Sequence, residues 1–594
     1  MDRQSKCMGI SGDRSEVELL RRTCRDGEIS VNEFAYRAAC AYLSDRKPFR
    51  ARGLLNLLDR GYRPAEGMQS TGELLRRIET SSPRSLPTCS LNMIVRNEES
   101  GIAEALDSVD EIMDEIVIVD TGSSDSTCSI ARLYGATILH AEWHDDFSEA
   151  RNKALEASSG DWIFWMDADD RVDAGSCRAL RALWHGAGSG VYAFCVANEK
   201  QAFQGPEFMQ FRLFPRLPGI RFERPVHEQV VFSARAAGLT PTSCPNIRIV
   251  HTGYNDPLLH KKKARRNMRI LHAALEREPD DAALRLSLGE SHTILGEIER
   301  ALEVFHDIAG EDDYYATHRD AFVQAHFNIG WLERGRGNAG EALRYLYRCL
   351  YLDASRMEAF YLIGLISLEN RDIRRAFSSF VYAANVTPGL RFISAVDRRT
   401  IRMKSLYHTA EILLSRQRHA EARDLLESAI EHFPRVVEYY SQMGLALAGL
   451  GRLKEAATYL ADSLRASPER NPGAYEGLAR IYLRLNDPEK AARLLLDALD
   501  RNSASAGVYS LMGDLCYLGR RAEPALEGYR KALHHYPHFP PDQETLLWKA
   551  ASSALESGHV EEAREYLYRL TRDSGEDSRA AKILRELEAT PQAA

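Results

Sequence analysis

Three apolar runs in this chain each end abruptly in carboxylates and small polar groups. LNMIV is followed by Arg96, Asn97, Glu98 and Glu99; EIVIV by Asp120, Thr121, Gly122, Ser123, Ser124 and Asp125; WIFWM by Asp167, Ala168, Asp169 and Asp170. Asp167 and Asp169, one residue apart, repel each other unless a cation relieves them. Oxygen donors suit a hard divalent ion, Mg2+ or Mn2+, and such an ion can bridge a diphosphate and neutralise its charge as it departs. The stretch DADDRVDAGS also reads as an acidic turn or a helix N-cap, and spacing alone leaves both readings open. TGSSDST is a small-residue turn leading into a helix. Asp120 could accept hydrogen bonds from a base or ribose, while Asp125 or Ser126 could cap the helix. The turn lacks the lysine of a Walker loop.

Such residues need a frame. The three runs read as strands, and between them lie helical segments such as TCSIARLYGA and FSEARNKALEAS. Strands alternating with helices predict βαβ units and a mostly parallel α/β sheet, with ligands beyond the carboxyl ends of the strands. Val191–Val196 and Phe208–Phe214 read as further strands, and the domain spans 89–255. Before it, residues 1–85 carry apolar positions at helical spacing and form a helical N-terminal segment, separated by the linker-like SSPRSLP. After it, residues 256–281 form a basic helical connector. Its run from Lys261 to Arg266 could meet a diphosphate or an acidic acceptor, or simply be a solvated helix face.

Residues 282–575 are helical and repetitive. From Gly289, Ala301 follows at +12 and Phe305 at +16; the same offsets recur from Gly330, Gly364, Ala410, Gly444, Ala479, Gly513 and Ala551. Anchor spacings are 34 or 35 where the array is tight and 38, 41 and 46 elsewhere, which implies insertions. Small residues at the anchor and at +12 let the two helices of a hairpin approach, and the +16 side chain is expected to fill the gap between hairpins. The pattern resembles the tetratricopeptide repeat, an all-α solenoid with a concave binding face.

The blocks LNMIVRNEE, DEIVIVDTGSSDST, EWHDDFSEARNKAL and GDWIFWMDADD, in that order, resemble a family-2 glycosyltransferase with the GT-A (nucleotide-diphospho-sugar transferase, Rossmann-like) fold. The resemblance implies an inverting, metal-dependent transfer of a sugar from a nucleotide-sugar donor, UDP-linked, to an acceptor hydroxyl or thiol. It implies that Asn97, Glu98, Asp120 and Asp125 surround the nucleotide, and that Asp167 and Asp169 bind the metal, Asp169 more directly. Asp167 would also face the donor. Arg151 would face the nucleotide-sugar or hold the acidic loop; the alternative is an ion pair with Asp145 or Asp146. In FERPVHEQV, Glu228 matches the base that takes the acceptor proton, with His227 as competitor; both could equally be pocket wall. His251, in IVHTGY, matches a late metal ligand, which would favour Mn2+, or is a structural histidine. Transferase domains joined to such repeats resemble peptide glycosyltransferases and enzymes of surface-glycan assembly. The expected acceptor is therefore a peptide, protein or glycan. The array would recognise it, or a partner, or a second copy of the chain. The competing reading is a scaffold with a degenerate transferase domain.

The bulk properties fit. At 594 residues the chain exceeds one core. A net charge of −8 gives no reason to expect a nucleic-acid partner. No apolar run approaches the ~20 residues that span a bilayer, and the N-terminus MDRQSKCMGISGDRSE lacks the apolar core of a signal peptide. The cysteines show no metal-ligand spacing. Reduced thiols in a cytoplasmic protein, peripheral at most to a membrane, are the expectation.

Overall fold

The computed structural model describes residues 30–44, 48–55, 86–186, 190–198, 207–252, 257–310, 312–386, 396–469, 471–535, 543–574 and 579–589, with isolated positions elsewhere in the first 85. The segments EVELLRRTC, in most of its length, and SSPRSLP before Leu86 lie outside the described residues.

The three apolar runs become parallel strands. β1 (Cys89–Val95) lies between β2 (Glu115–Asp120) and β4 (Trp162–Trp165), and β3 (Thr137–His140) pairs parallel to β2. Their near-continuous apolar sequences follow from burial on both faces; β2 and β4 are buried at every position. Helices α3 (Ile102–Val109) and α4 (Thr127–Arg132) connect β1 to β2 and β2 to β3. The chain enters β4 through Gly160, where a Cβ would come within 2.5 Å of Ser90 Oγ and 2.8 Å of Ser90 N, so only glycine fits there. α5 (Phe147–Ala157) precedes it, capped by Asp146, whose carboxylate accepts from the Glu149 N–H at 3.0 Å.

The expectation of a mostly parallel sheet holds for this half only. The full order is β3-β2-β1-β4-β7-β6-β8-β5. β7 (Glu207–Pro215) runs antiparallel to both β4 and β6 (Gly190–Asn198), and β5 (Asp170–Val172) runs antiparallel to β8 (Thr240–His251). The sheet is mixed because β6 and β7, consecutive in the chain, pair antiparallel to one another. This second half matters for the site: the β5–β8 register sets Asp170 opposite His251.

At the N-terminus, α1 (Val31–Ser44) and α2 (Pro48–Leu55) meet the C-terminal ends of α3 and α4 through a buried polar network. Asp110 receives Arg21 at 3.2 Å, the Tyr42 hydroxyl at 3.2 Å and Arg50; Arg50 Nε also donates to the Tyr134 carbonyl at 2.7 Å. Arg50 is fully buried, so these partners are obligatory.

After β8, α6 (Ala174–Gly186) and α7 (Val231–Ala236) having intervened, comes α8 (Pro257–Leu275) and then the repeats. Among the described residues eight helical hairpins follow, each carrying one anchor on its first helix and the +12 and +16 residues on its second. The first hairpin is α9 (Ala282–Leu295) and α10 (Ile298–Gly310). A Cβ on Gly289 would lie 2.4 Å from Phe305, and one on Gly444 2.5 Å from Leu460. The +16 side chain therefore sits on the anchor inside its own hairpin. The expected filling between hairpins is present as well for Leu460, which also reaches Gly477 of the following hairpin. The insertion behind the 41-residue spacing is a short helix, Asp312–Thr317. The chain divides into two compact units, residues 1–355 with 388–400, and 356–387 with 401–594. The first two hairpins belong to the first unit. No described helix is long and apolar enough to cross a membrane.

Candidate active site

The parallel strands β1, β2 and β4 deliver their polar tails to one edge of the sheet. After β1, Asn97 adopts a left-handed backbone (φ 56°), a conformation asparagine tolerates better than most residues. Its N–H donates to Ser123 Oγ at 3.0 Å, and its Oδ1 accepts from the Ser124 N–H at 2.8 Å. Asp120, at the end of β2, is 3% exposed and accepts from the Ser123 N–H at 3.0 Å and His140 Nδ1 at 3.1 Å. Burial pushes this carboxyl up, but the bonds from Ser123 and His140 outweigh it and hold it below the usual range. Asp125 closes the turn: it accepts from the Thr127 N–H at 3.0 Å, the Thr127 hydroxyl at 2.5 Å and the Glu99 N–H at 3.2 Å. Asp125 thus accepts from the first N–H of α4, while Ser126, at the N-cap position, makes no side-chain capping bond.

The acidic group lies beyond β4. Asp167 accepts from Arg151 Nη2 at 2.8 Å and lies 3.6 Å from Arg212 Nη2. Burial opposes ionisation here, but the two guanidiniums hold the carboxyl well below the usual carboxylate range. Asp170 is fully buried; it meets Arg212 Nη1 at 2.9 Å and His251 Nδ1 at 2.9 Å. Asp169 lies 3.4 Å from the same His251 nitrogen, and its backbone carbonyl accepts from the Thr252 N–H at 2.9 Å. Burial raises the Asp169 carboxyl, and Asp167 and Asp170 raise it further against the pull of His251 and Lys263. Burial lowers His251, but the Asp170 hydrogen bond and the surrounding carboxylates raise it above its ordinary value.

Glu98 faces this group from the end of β1. Burial, then the charges of Asp169 and Asp167, push its carboxyl up to about 7, with Lys263 of α8 opposing. Burial is the larger cause, and the nearby carboxylates add to it beyond what Lys263 offsets. Asp169, Asp170 and His251 each offer a ligand atom within 4.8 Å of the others. Carboxylate oxygens with one imidazole fit a divalent ion of the Mn2+ kind.

Arg151 of α5 joins two motifs. Its Nε donates to Glu228 Oε1 at 2.6 Å while Nη2 holds Asp167. The alternative partners are engaged elsewhere, Asp146 as the α5 cap and Asp145 by Trp143 Nε1 at 2.8 Å. The Arg151 guanidinium lies 3.9 Å from the Trp165 ring centroid and that of Arg212 3.7 Å, so the indole is flanked by two cations. Glu228 and His227 sit on a loop closed by reciprocal backbone bonds between Glu223 and Gln229, at 3.0 and 3.1 Å. Within it Glu228 is 12% exposed and His227 is exposed with φ 56°.

Glu98, Arg151, Asp167, Asp169, Glu228 and His251 thus form one connected electrostatic group, with Asn97, Asp120 and Asp125 shaping the adjoining turn. Sequence reasoning missed Asp170, Arg212 and Trp165. The signal for Arg212 was present: a lone arginine inside the strand EFMQFRLFP. Asp170 was legible only as a third carboxylate, since its pairing depends on the β5–β8 register.

Residues 90–236 match glycosyl transferase family 2, and residues 269–316, 407–475 and 447–515 match tetratricopeptide repeat families. The chain therefore carries a family-2 glycosyltransferase domain joined to tetratricopeptide repeats. It is similar to a TPR repeat-containing protein of Synechococcus elongatus, 40% identical over 207 residues, or 34% of this chain and 51% of that protein. It is similar also to the SPbeta prophage-derived glycosyltransferase SunS of Bacillus subtilis, 28% identical over 226 residues, or 36% of this chain and 52% of that protein. The alignments span about half the length of these curated relatives. Among solved structures, a tetratricopeptide repeat protein from Parabacteroides merdae aligns with 46% of this chain and 98% of its own at 14% identity and a TM-score of 0.36.

Proposed function

We propose that the protein transfers a sugar from a nucleotide-sugar donor to an acceptor hydroxyl or thiol, with inversion at the anomeric carbon. The observation that carries this reading is the convergence of three parallel strand ends, bearing Asn97, Asp120 and Asp167, with Arg151 tying Asp167 to Glu228. In this reading Asp120 and the Ser123–Ser124 turn meet the nucleoside. Asp169 and His251, with Asp170 beside them, hold a divalent ion, Mn2+ or Mg2+. When bound, that ion supplies positive charge where the diphosphate leaving group gathers negative charge.

The chain's own residues do the rest. Arg151 and Arg212 fix Asp167, so the acidic edge does not splay. Glu228 lies at the far end of the Arg151 bridge. The bridge engages Oε1, and Oε2 is the oxygen offered to the acceptor proton as the acceptor attacks. His227, exposed one residue earlier, is the alternative base. The repeats bind the acceptor, a peptide, protein or glycan; self-association is the other use such an array offers.

The test is a thermal-shift panel of UDP-, GDP-, TDP- and CMP-sugars with and without Mn2+, since a ligand that binds the native state raises its apparent stability. A metal-dependent rise with at least one nucleotide class is expected. No rise with any, together with no donor turnover, would return the chain to the scaffold reading.

A further inference from the structure

The loop that carries His227 and Glu228 does not stand on the transferase sheet alone. It contains two non-glycine residues in the left-handed region, Arg224 (φ 78°) and His227 (φ 56°). Such conformations persist only where the surroundings over-determine them. One support is α5: the Phe147 N–H donates to the Pro225 carbonyl at 2.9 Å, and Asn152 brackets Phe222 with bonds of 2.8 and 2.9 Å. The other comes from later in the chain. Val226, 3% exposed, packs in an apolar cluster with Ile270 and Leu271 of α8 and with Leu284 and Leu288 of α9, the first helix of the first repeat. Arg224 Nε lies 3.8 Å from Asp281 Oδ2. Asp281 is the N-cap of α9, its other oxygen accepting from the Ala283 and Leu284 N–H groups at 2.7 and 2.9 Å.

We infer that the first repeat is part of the catalytic centre's support. Val226 and Arg224 are positioning residues that lock the loop onto α9 and so set Glu228 on Arg151. The alternation within the loop explains the division of labour. Val226 turns into the apolar cluster, His227 turns to solvent, and Glu228 turns to the Arg151 guanidinium. The apolar side chain fixes the backbone on which its two neighbours are presented, and the other buried members of its cluster, Ile270, Leu271, Leu284 and Leu288, all come from α8 and α9. The repeat array would then be not an appendage for acceptor capture alone. Its first helix would complete the wall that holds the candidate base. This inference rests on the transferase reading for its catalytic consequence, though not for its structural one.

The experiment uses the full chain and two readouts. The first is hydrogen exchange of the peptide spanning residues 221–230 in wild type, Val226→Ala, Leu284→Ala and Asp281→Asn. A core variant far along the array, Leu495→Ala, is the control. Asp281→Asn keeps an N-capping side chain while removing the charge that faces Arg224. The second readout is the kcat and KM for UDP-glucose hydrolysis with Mn2+. Faster exchange of the loop in the first three variants and not in Leu495→Ala is expected. With it comes a kcat lowered by about tenfold at a donor KM within about twofold of wild type, because the donor side of the site is untouched. Val226→Ile should restore both. Loop exchange unchanged in Leu284→Ala and Asp281→Asn, or changed equally in Leu495→Ala, would overturn the inference. Absence in wild type of hydrolysis of UDP-glucose and of the other UDP-, GDP-, TDP- and CMP-sugars, with the exchange pattern as expected, would instead count against the transferase reading and leave the support role standing. Should Val226→Ala fail to fold, Leu284→Ala and Asp281→Asn decide the same point from the other side of the contact.

Discussion

Arg151 Nε lies 2.6 Å from Glu228 Oε1, while the same guanidinium reaches Asp167 at 2.8 Å. Glu228 and Asp167 are 77 and 16 residues from Arg151 in the chain. One planar, five-donor group thus ties the proposed base to the first carboxylate beyond β4. Lysine cannot do this, because its ammonium has no fork to span two acceptors. Arg151→Lys is expected to lower donor turnover by about 100-fold, near 2.7 kcal/mol of barrier. Measured nucleoside diphosphate release against the melting temperature of the same preparation checks this; a proportionate loss of folded protein would assign the effect to stability.

Asp169 and Asp170 adjoin in sequence and separate in role. Asp169 is 30% exposed, with His251 Nδ1 3.4 Å away, whereas Asp170 is fully buried between Arg212 and His251. Asp169→Ala should remove the response of activity to Mn2+ while leaving the melt near wild type. Asp170→Ala should instead destabilise the fold by about 3–5 kcal/mol, the usual cost of orphaning a buried ion partner. Parallel thermal melts and metal titrations of the two variants separate these outcomes.

In the array, the anchor glycines are fixed by contact. Gly444→Ala places a methyl 2.5 Å from Leu460, and the neighbour must move. Overpacking of that kind costs about 1–3 kcal/mol. A lowered denaturation midpoint of the second unit is expected, with donor hydrolysis by the first unit unchanged.

The pair Arg530–Glu562 links the last two hairpins, Nε to Oε1 at 2.8 Å and Nη2 to Oε2 at 2.6 Å. The Arg530 hydrogen bonds, against some burial, pull the Glu562 carboxyl from 4.5 down to about 2. A carboxyl lowered in the folded state adds stability above its unfolded pKa and loses it as pH falls through the folded one. The second unit should therefore weaken between about pH 4.5 and pH 2, and Glu562→Gln should flatten that part of the profile in denaturant melts at stepped pH.

Much of this was legible in the chain because it rests on local rules. Strands buried on both faces read as apolar runs, and the turns after them carry their polar groups in sequence. The offsets from Gly289 to Ala301 and Phe305 reflect a hairpin whose helices must touch. What escaped was set by pairing across distance. The antiparallel β6–β7 ribbon, the β5–β8 register that joins Asp170 to His251, and the Arg212 side chain on β7 depend on which strands meet. No periodicity encodes that. The partners of Arg151 escaped for the same reason: Asp145 and Asp146 are near in sequence, but the α5 cap and Trp143 engage them, and the sheet brings Glu228 and Asp167 to the guanidinium instead.

The most direct measurement is release of nucleoside diphosphate from a panel of nucleotide sugars by the full chain, with and without Mn2+, in wild type and Asp169→Ala. Metal-stimulated release from at least one donor, absent in Asp169→Ala, is the predicted result. No release from any donor by folded wild-type protein, or equal release by Asp169→Ala, would contradict a sugar transfer centred on this carboxylate edge.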